Sequence, residues 1–249
     1  MAILINKFYY LTISNITWQQ VIPESIQIAN TIGLEDAINS LLSFERKCRT
    51  NNDFHSLKEV CLHMVRLCKE KEDWTKLGST LVILNKRRAQ SKIAITAIVH
   101  EAIGYLNSTP SREVKVELIK ILMEICGGKI YVEGEDAKLH MMLAIIYEED
   151  GDIQKACDVI QDVHVETYGA LSKKEKAEYI LQQIRLNLLR SDYLRALIQS
   201  RKMNRKVIEE PGFEAIKREF YRLIIIYYTH EKDCFQISQA YYKVRFVDR

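Results

Sequence analysis

The sequence predicts an all-α protein built from consecutive pairs of helices, and three observations support this fold class. An aspartate-centred phrase recurs about every forty residues, at Asp152, Asp192 and Asp233, with a fainter copy at Asp73. Apolar residues between these points follow helical spacing. Nine glycines and three prolines in 249 residues are few, which favours long helices over a turn-rich β fold. We therefore expect a right-handed α-solenoid of about six TPR-like helix pairs.

The first three pairs are divided by turn signals and capping residues. They are expected at residues 20–32 with 34–50, 53–70 with 73–88, and 91–107 with 111–126. Gly33 separates the first two helices, and Asp53 is placed to cap the third. In the second helix, the residues expected on the outer face are Glu35, Glu45, Arg46 and Arg49. The Asn-Ser-Thr-Pro run before Ser111 is a strong turn cluster, so a helix should begin there.

The last three pairs repeat the same joint. They are expected at residues 135–149 with 152–163, 173–190 with 192–203, and 213–230 with 233–246. Gly151 supplies a left-handed stop to one helix, and Asp152 caps the next. A short polar residue stands at each within-pair joint because the first amides of the second helix need an acceptor. These residues are Asp73, Ser111, Asp152, Asp192 and Asp233.

Two stretches are not typical of a helix. Residues 129–133 are β-branched and aromatic and lie between glycines, so they form either a short extended connector or the start of the next helix. Residues 223–228 are continuously apolar, which on pattern alone also fits a buried strand. Because their flanks have helical periodicity, we expect a helix that is buried on all sides.

Composition limits the classes of function. The net charge of +3, from 36 basic and 33 acidic residues, is too balanced to predict nucleic acid or another polyanion as the partner. The six cysteines are scattered, so neither a disulfide framework nor a zinc site is expected. Cys61 and Cys68 share a helical face and are expected in the core, in a protein of a reducing compartment.

The sequence contains no recognisable catalytic or cofactor-binding motif. P-loop, HExxH, GxSxG and paired CxxC motifs are absent. The six histidines do not form a cluster with ligand spacing. We therefore expect no enzyme activity, no cofactor and no metal.

Residues 1–19 are expected to form a divergent N-terminal extension before the helical repeats of residues 20–249. The apolar run at the start is interrupted by Asn6 and Lys7, and no small-residue cleavage site follows, so a signal peptide is not indicated. The run is also too short to span a bilayer. No membrane association is expected.

Three charged groups are candidate partner-binding residues. The first basic group, at a predicted helix end, consists of Lys86, Arg87, Arg88 and Lys92. The second basic group, at the corresponding end one pair before the last, contains Arg201 and Lys202. Cations at these ends stabilise the helix dipole or meet an acidic protein surface. The acidic group, Glu148 and Glu149, opposes the dipole of its helix and would suit a basic partner.

Five segments, in this order and at these separations, resemble one known family. They are LLSFERKCR at 41–49, LNKRRAQ at 84–90, GKIYVE at 128–133, VETYG at 165–169 and YILQQIRL at 179–186. The resemblance is to the PCI family of 26S proteasome regulatory-lid scaffold subunits, of the non-ATPase regulatory subunit 12 type. It extends from about residue 32 to about residue 242 and covers the N-terminal solenoid of that family.

The resemblance implies a non-catalytic scaffold of the proteasome regulatory particle that supports ubiquitin-dependent degradation through protein–protein contacts. The implied partners are other lid subunits, including the deubiquitinating subunit, and the outer ring of the proteolytic core, in the cytoplasm and nucleus. It implies neither nucleic-acid binding nor homo-oligomerisation. Lys129, Tyr131 and Tyr168 lie in the segments that carry the resemblance and are further candidate partner-binding residues.

Two other functions agree with the same residues. One is a helical-repeat adaptor of another PCI-type assembly, such as the signalosome or a translation initiation complex. The other is a stand-alone peptide-binding repeat domain. The sequence departs from the family pattern in its first twenty or so residues and stops before any winged helix, so the PCI winged helix is expected to be absent from this chain.

Overall fold

The computed structural model describes residues 18–245, which form twelve α-helices and no β-strand. The expected all-α fold is therefore confirmed. The chain divides into two compact units, Met1–Ile121 and Leu122–Arg249. Of the predicted extension at 1–19, residues 1–17 lie outside the described residues. Residues 18 and 19 belong to the first helix.

The first unit is built on consecutive helix pairs. Its helices are α1 (Trp18–Thr31), α2 (Leu34–Thr50), α3 (Phe54–Glu70), α4 (Trp74–Lys86), α5 (Lys92–Tyr105) and the first part of α6 (Arg112–Cys126). Helix α1 packs against α2 and α3 against α4, while α3 also contacts α1, α2 and α5. The first helices of successive pairs thus pack on one another, as in a helical-repeat array.

Helix α3 lies at the centre of the first unit. Cys61, Met64 and Cys68 on its inner face are completely buried, as are their neighbours Leu57 and Val60. Each large apolar side chain buried in this way contributes roughly 1.5–3 kcal/mol to folding. The prediction that Cys61 and Cys68 are core residues is confirmed, and burial raises the pKa of the Cys68 thiol to about 11.

The second unit repeats the arrangement. Its helices, after the end of α6, are α7 (Glu133–Glu149), α8 (Ile153–Ile160), α9 (Lys173–Leu189), α10 (Tyr193–Lys202), α11 (Glu214–Glu231) and α12 (Cys234–Arg245). Helix α7 pairs with α8, α9 with α10 and α11 with α12, and α9 also packs against α11. Phe220 is fully buried in the core of this unit, beside Ile184 and Ile224.

Five interhelical joints share one backbone geometry, which explains the recurring aspartate. The residue before each aspartate adopts a left-handed conformation; these residues are Asn52, Glu72, Gly151, Ser191 and Lys232. The amide of the aspartate then donates back to the carbonyl five residues earlier, as Asp152 does to Tyr147 at 2.9 Å. This is the Schellman ending of a helix. The aspartate therefore follows the end of one helix and begins the next.

The side chain of each predicted capping residue accepts a hydrogen bond from the third following amide, so these predictions are confirmed. The donors are Ser56 to Asp53 (3.1 Å), Lys76 to Asp73 (2.8 Å), Val114 to Ser111 (3.3 Å), Lys155 to Asp152 (3.0 Å), Arg195 to Asp192 (3.0 Å) and Gln236 to Asp233 (3.0 Å). Such a cap typically contributes about 1 kcal/mol to stability. The capping residue at each joint therefore marks where the second helix begins and adds to the stability of the fold.

Three local expectations are corrected or decided. Residues 130–132 form a 3₁₀ turn that leads directly into α7, so this stretch starts the next helix. Residues 223–228 are helical, but Ile226 is 46% exposed, so the helix is not buried on all sides. Helix α8 ends at Ile160 and not at residue 163, because Gln183 Nε2 donates to the Ile160 and Val163 carbonyls at 2.7 and 3.0 Å.

Candidate partner-binding surfaces

The cationic turn between α4 and α5 is held by a buried carboxylate. Glu45 of α2, expected on the outer face, is instead completely buried. Its Oε1 accepts hydrogen bonds from Arg49 Nε at 3.0 Å and from Gln90 Nε2 at 3.3 Å. Arg49 Nη1 also donates to the Arg88 carbonyl at 2.7 Å. Because Glu45 Oε2 is buried without a hydrogen-bond partner among residues 18–245, the contacts of Oε1 are the ones that tie α2 to the turn.

Three cations line one open groove beside this network. Arg46 and Lys47 from α2 and Arg87 from the turn border a groove with a volume of about 560 Å³. The other lining residues are Asn39, Leu42, Ser43 and Thr50. The Nε atom of Arg87 is buried and has no hydrogen-bond partner among residues 18–245. We call this feature the cationic groove.

The cations in and next to the cationic groove are not neutralised by the described residues. Within residues 18–245, no ion pair is formed by Arg46, Lys47, Lys86, Arg87 or Arg88. Elsewhere in the same unit cations are paired, for example Lys76 with Glu35 at 2.8 Å and Arg66 with Glu101 at 2.8 Å. The first unit therefore presents a local excess of positive charge at this position.

Only part of the first basic group lies at a helix C-terminus, where a cation stabilises the helix dipole. Lys86 is the last residue of α4, where a cation is favourable as expected. Lys92 is instead the first residue of α5, where the dipole disfavours a positive charge. Lys92 is exposed and does not line the cationic groove.

The second basic group does lie in the last turn of its helix, α10, but one of its members is paired. Lys202 Nζ lies 3.1 Å from Glu166 Oε1 and 3.0 Å from His164 Nδ1. Arg201 is exposed at the helix end. Because Glu166 already neutralises Lys202, this group offers less free positive charge than the cationic groove.

The acidic group is divided by the structure. Glu148 forms a bidentate ion pair with Arg185 of α9, with N–O distances of 2.5 and 2.6 Å. The hydrogen bonds from Arg185 hold the pKa of the Glu148 carboxyl below its ordinary value. Glu149 is exposed at the end of α7. Glu148 therefore stabilises the packing of α9 against α7, and the expectation of a free acidic edge is wrong for this residue.

Lys129, Tyr131 and Tyr168 are half-buried and belong mainly to the packing of the second unit. Lys129 Nζ donates to the Ile125 carbonyl, and burial lowers the pKa of the lysine. Burial raises the pKa of both tyrosine hydroxyls, and Tyr168 packs against the core.

Glu133, the last residue of the 128–133 segment, is hydrogen-bonded to the residue that follows the 165–169 segment. Glu133 Oε1 accepts a hydrogen bond from the Ala170 amide at 3.0 Å. The carboxylate therefore ties the start of α7 to the loop before α9.

Within the described range 18–245, no group of three or more His, Cys, Asp or Glu side chains could hold a metal ion. No helix in that range is long and apolar enough to cross a membrane. The features that stand out are therefore charged surfaces.

Sequence reasoning missed two of the cations that line the cationic groove. Arg46 and Lys47 are far from Arg87 in the chain, and the argument from helix ends considered only local sequence. The period of the repeat could have indicated that these residues are close in space. Arg49 and Arg88, which are in contact, lie 39 positions apart, or about one repeat. Residues one period apart can be neighbours when helix pairs stack.

Comparison with known proteins gives one family over most of the chain. The family model described as PSMD12/CSN4, N-terminal, matches residues 36–248. The 26S proteasome non-ATPase regulatory subunit 12 homolog A of Arabidopsis thaliana is 37% identical over 231 residues, which cover 84% of this chain and 52% of the relative. The non-ATPase regulatory subunit 12 of Dictyostelium discoideum is 34% identical over 221 residues, covering 89% and 49%.

A yeast relative and a solved structure complete the comparison. The 26S proteasome regulatory subunit RPN5 of Saccharomyces cerevisiae is 30% identical over 227 residues, covering 89% of this chain and 51% of the relative. The chain spans about half the length of the curated relatives it matches. The crystal structure of BtubC (BKLC) from P. vanneervenii is 14% identical with a TM-score of 0.48, covering 94% of this chain and 92% of that chain.

Proposed function

The chain belongs to the PSMD12/CSN4 N-terminal family, and from that membership we propose that it is a non-catalytic scaffold subunit of the proteasome regulatory particle lid. In this role it supports ubiquitin-dependent protein degradation through protein–protein contacts. The observation that carries the proposal is the match of residues 36–248 to the family, together with relatives named as non-ATPase regulatory subunits of the 26S proteasome.

The fold supports a scaffold. Consecutive helix pairs present broad exposed helix faces, and repeat proteins of this kind use such surfaces to hold other proteins. The proposed partners are other lid subunits, including the deubiquitinating subunit, and the outer ring of the proteolytic core. We propose the cytoplasm and nucleus as the location. Among the candidate contact residues, those in and beside the cationic groove, and the exposed Arg201 and Glu149, are better placed than the ion-paired Glu148.

A second candidate is an adaptor of another PCI-type assembly, such as the signalosome. The name of the family supports this candidate, because it pairs CSN4 with the proteasome subunit PSMD12. The curated relatives named above carry proteasome names, which supports the lid as the first candidate.

Affinity purification separates the two candidates. The tagged 249-residue chain is expressed in cells and its co-purified proteins are quantified by mass spectrometry, with the tag alone as the control. The lid proposal predicts that several lid subunits are enriched together over the control. Enrichment of signalosome subunits without lid subunits, or of neither group, would contradict it.

A further inference from the structure

We propose that the cationic groove, lined by Arg46, Lys47 and Arg87, binds an acidic segment of a partner protein. This inference deepens the proposed scaffold role and rests on it, because it states the chemistry that one partner must bring to the first unit. The groove combines cations from α2 with a cation from the turn after α4. It is therefore formed only when the helices of this unit are packed.

The charge of the groove is available to a partner. Arg46, Lys47 and Arg87 have no ion-pair partner among the described residues, and Lys86 and Arg88 beside them are equally unpaired in that range. A single exposed ion pair contributes only about 0–1 kcal/mol. Several cations within one screening length, about 8–10 Å at physiological salt, act together on a ligand with several carboxylates. The matching ligand is a run of acidic side chains.

The groove is also held in shape. The nearest acidic side chain in the network, Glu45, is buried and accepts hydrogen bonds from Arg49 and Gln90, so it fixes the turn without pointing its charge into the solvent. The turn bends at Ala89, whose φ of 56° is left-handed. A turn whose backbone is fixed in this way loses little backbone entropy on binding. The Nε of Arg87 is buried without a hydrogen-bond partner among residues 18–245, so a partner carboxylate would contact the other nitrogens of the guanidinium.

The lining of the groove favours a protein segment over a nucleic acid. Binding of single-stranded nucleic acid relies on aromatic side chains that stack with the bases, and the residues that line the groove include none. Leu42 contributes an apolar contact that suits an aliphatic side chain placed among acidic ones. The volume of about 560 Å³ lies within the range of roughly 300–1,000 Å³ that is typical of ligand-binding pockets.

The test uses the purified 249-residue chain and a fluorescein-labelled peptide, EELEELEE, in fluorescence anisotropy. We expect saturable binding in 50 mM NaCl, several-fold weaker binding in 200 mM NaCl, and no binding of QQLQQLQQ. The double variant Arg46→Glu with Arg87→Glu should bind the acidic peptide at least about tenfold more weakly. The matched variant Lys174→Glu with Lys206→Glu changes the net charge equally on exposed residues of the second unit and should bind like the wild type.

Three results would overturn the proposal. They are equal weakening by the two double variants, a lack of saturation, and tighter binding of an eight-residue oligothymidylate than of the acidic peptide. Circular dichroism and thermal unfolding check that each variant folds; if the charge reversals unfold the chain, Arg46→Gln with Arg87→Gln replaces them with the same expected direction. Because this assay contains no other subunit, its outcome is independent of the co-purification that tests the scaffold role.

Discussion

At the residue scale, Glu45 connects two of the segments that carry the family resemblance. It lies in residues 41–49, and its partner Gln90 lies in residues 84–90. Helical spacing placed Glu45 on the outer face of α2. Spacing alone cannot show that Arg49 and Gln90 supply the hydrogen bonds that make burial of a carboxylate tolerable. The burial of Glu45 explains why these two segments occur together.

Removing the Glu45 carboxylate should destabilise the first unit strongly. Glu45→Ala removes the acceptor of Arg49 Nε and one of the two acceptors of Gln90 Nε2, which also donates to the Leu84 carbonyl at 3.3 Å, and we expect a loss of about 3 kcal/mol in the free energy of unfolding. Glu35→Ala, on the same helix, removes an ion-paired carboxylate whose side chain is 75% exposed. This substitution should change the free energy of unfolding by less than about 0.5 kcal/mol. Urea unfolding of both variants measures the difference. Equal effects would show that the network does not hold the turn.

The Glu148–Arg185 pair predicts a pH dependence of stability. Because Arg185 lowers the folded-state pKa of Glu148 from its ordinary value of 4.5, the pair stabilises the fold fully above that pH. Its contribution is lost as the pH falls through the folded-state pKa. Glu148→Gln should therefore lower the free energy of unfolding by about 1 kcal/mol at pH 7, and the difference from wild type should shrink below pH 4.5.

The control for this pair is Glu178→Gln, an exposed carboxylate on the same helix as Arg185. At pH 7 this substitution should change the free energy of unfolding by less than about 0.5 kcal/mol. Urea unfolding between pH 3 and pH 7 provides the measurement. A Glu148→Gln difference that grows towards acid pH would refute the assignment.

At the element scale, the joints show how far local sequence determines helix boundaries. Asp73, Asp152, Asp192 and Asp233 could be identified as caps from the sequence because the physical need is local and the aspartate recurs. The early end of α8 could not be predicted in this way. It depends on Gln183, a residue of the next helix whose amide reaches carbonyls of the chain after α8.

The left-handed residues before the aspartates predict a stabilising substitution. Lys232 has φ of 58° and Gly151 has φ of 79° at equivalent joints. Because the left-handed conformation is unfavourable for a residue with a Cβ atom, Lys232→Gly should raise the free energy of unfolding by about 0.5–1 kcal/mol, and Gly151→Ala should lower it by about 1 kcal/mol. Thermal unfolding of both variants tests this. A loss of stability in Lys232→Gly would contradict the shared geometry.

The capping role of the aspartates can be separated from their charge. Asp73→Ala removes the acceptor for the Lys76 amide and should lower the free energy of unfolding by about 1 kcal/mol. Asp73→Asn keeps an acceptor without the charge and should retain most of the stability. Denaturant unfolding of the two variants gives the comparison. If both substitutions were equally harmful, charge and not capping would be the cause.

At the scale of the whole molecule, the all-α fold and its helix pairs could be predicted because periodicity, turns and caps agree in this sequence. The cationic groove could not be predicted, because Arg46 and Arg87 meet only through the packing of α2 against the chain after α4. The prediction for the acidic group was wrong at Glu148, because its ion-pair partner Arg185 lies 37 residues away in the chain. Local pattern identified the elements, whereas the partners of charged residues required the tertiary structure.

We propose that this chain works as a scaffold within the proteasome regulatory particle. Sedimentation of a cell lysate that contains the tagged chain tests it most directly, with immunoblotting for the tag and a peptidase assay across the gradient. The account predicts that part of the tagged chain sediments with the peptidase activity and with lid subunits, far ahead of a free protein of 29.1 kDa. Sedimentation of all the chain at its own mass, or with a complex that contains no lid subunit, would contradict the account.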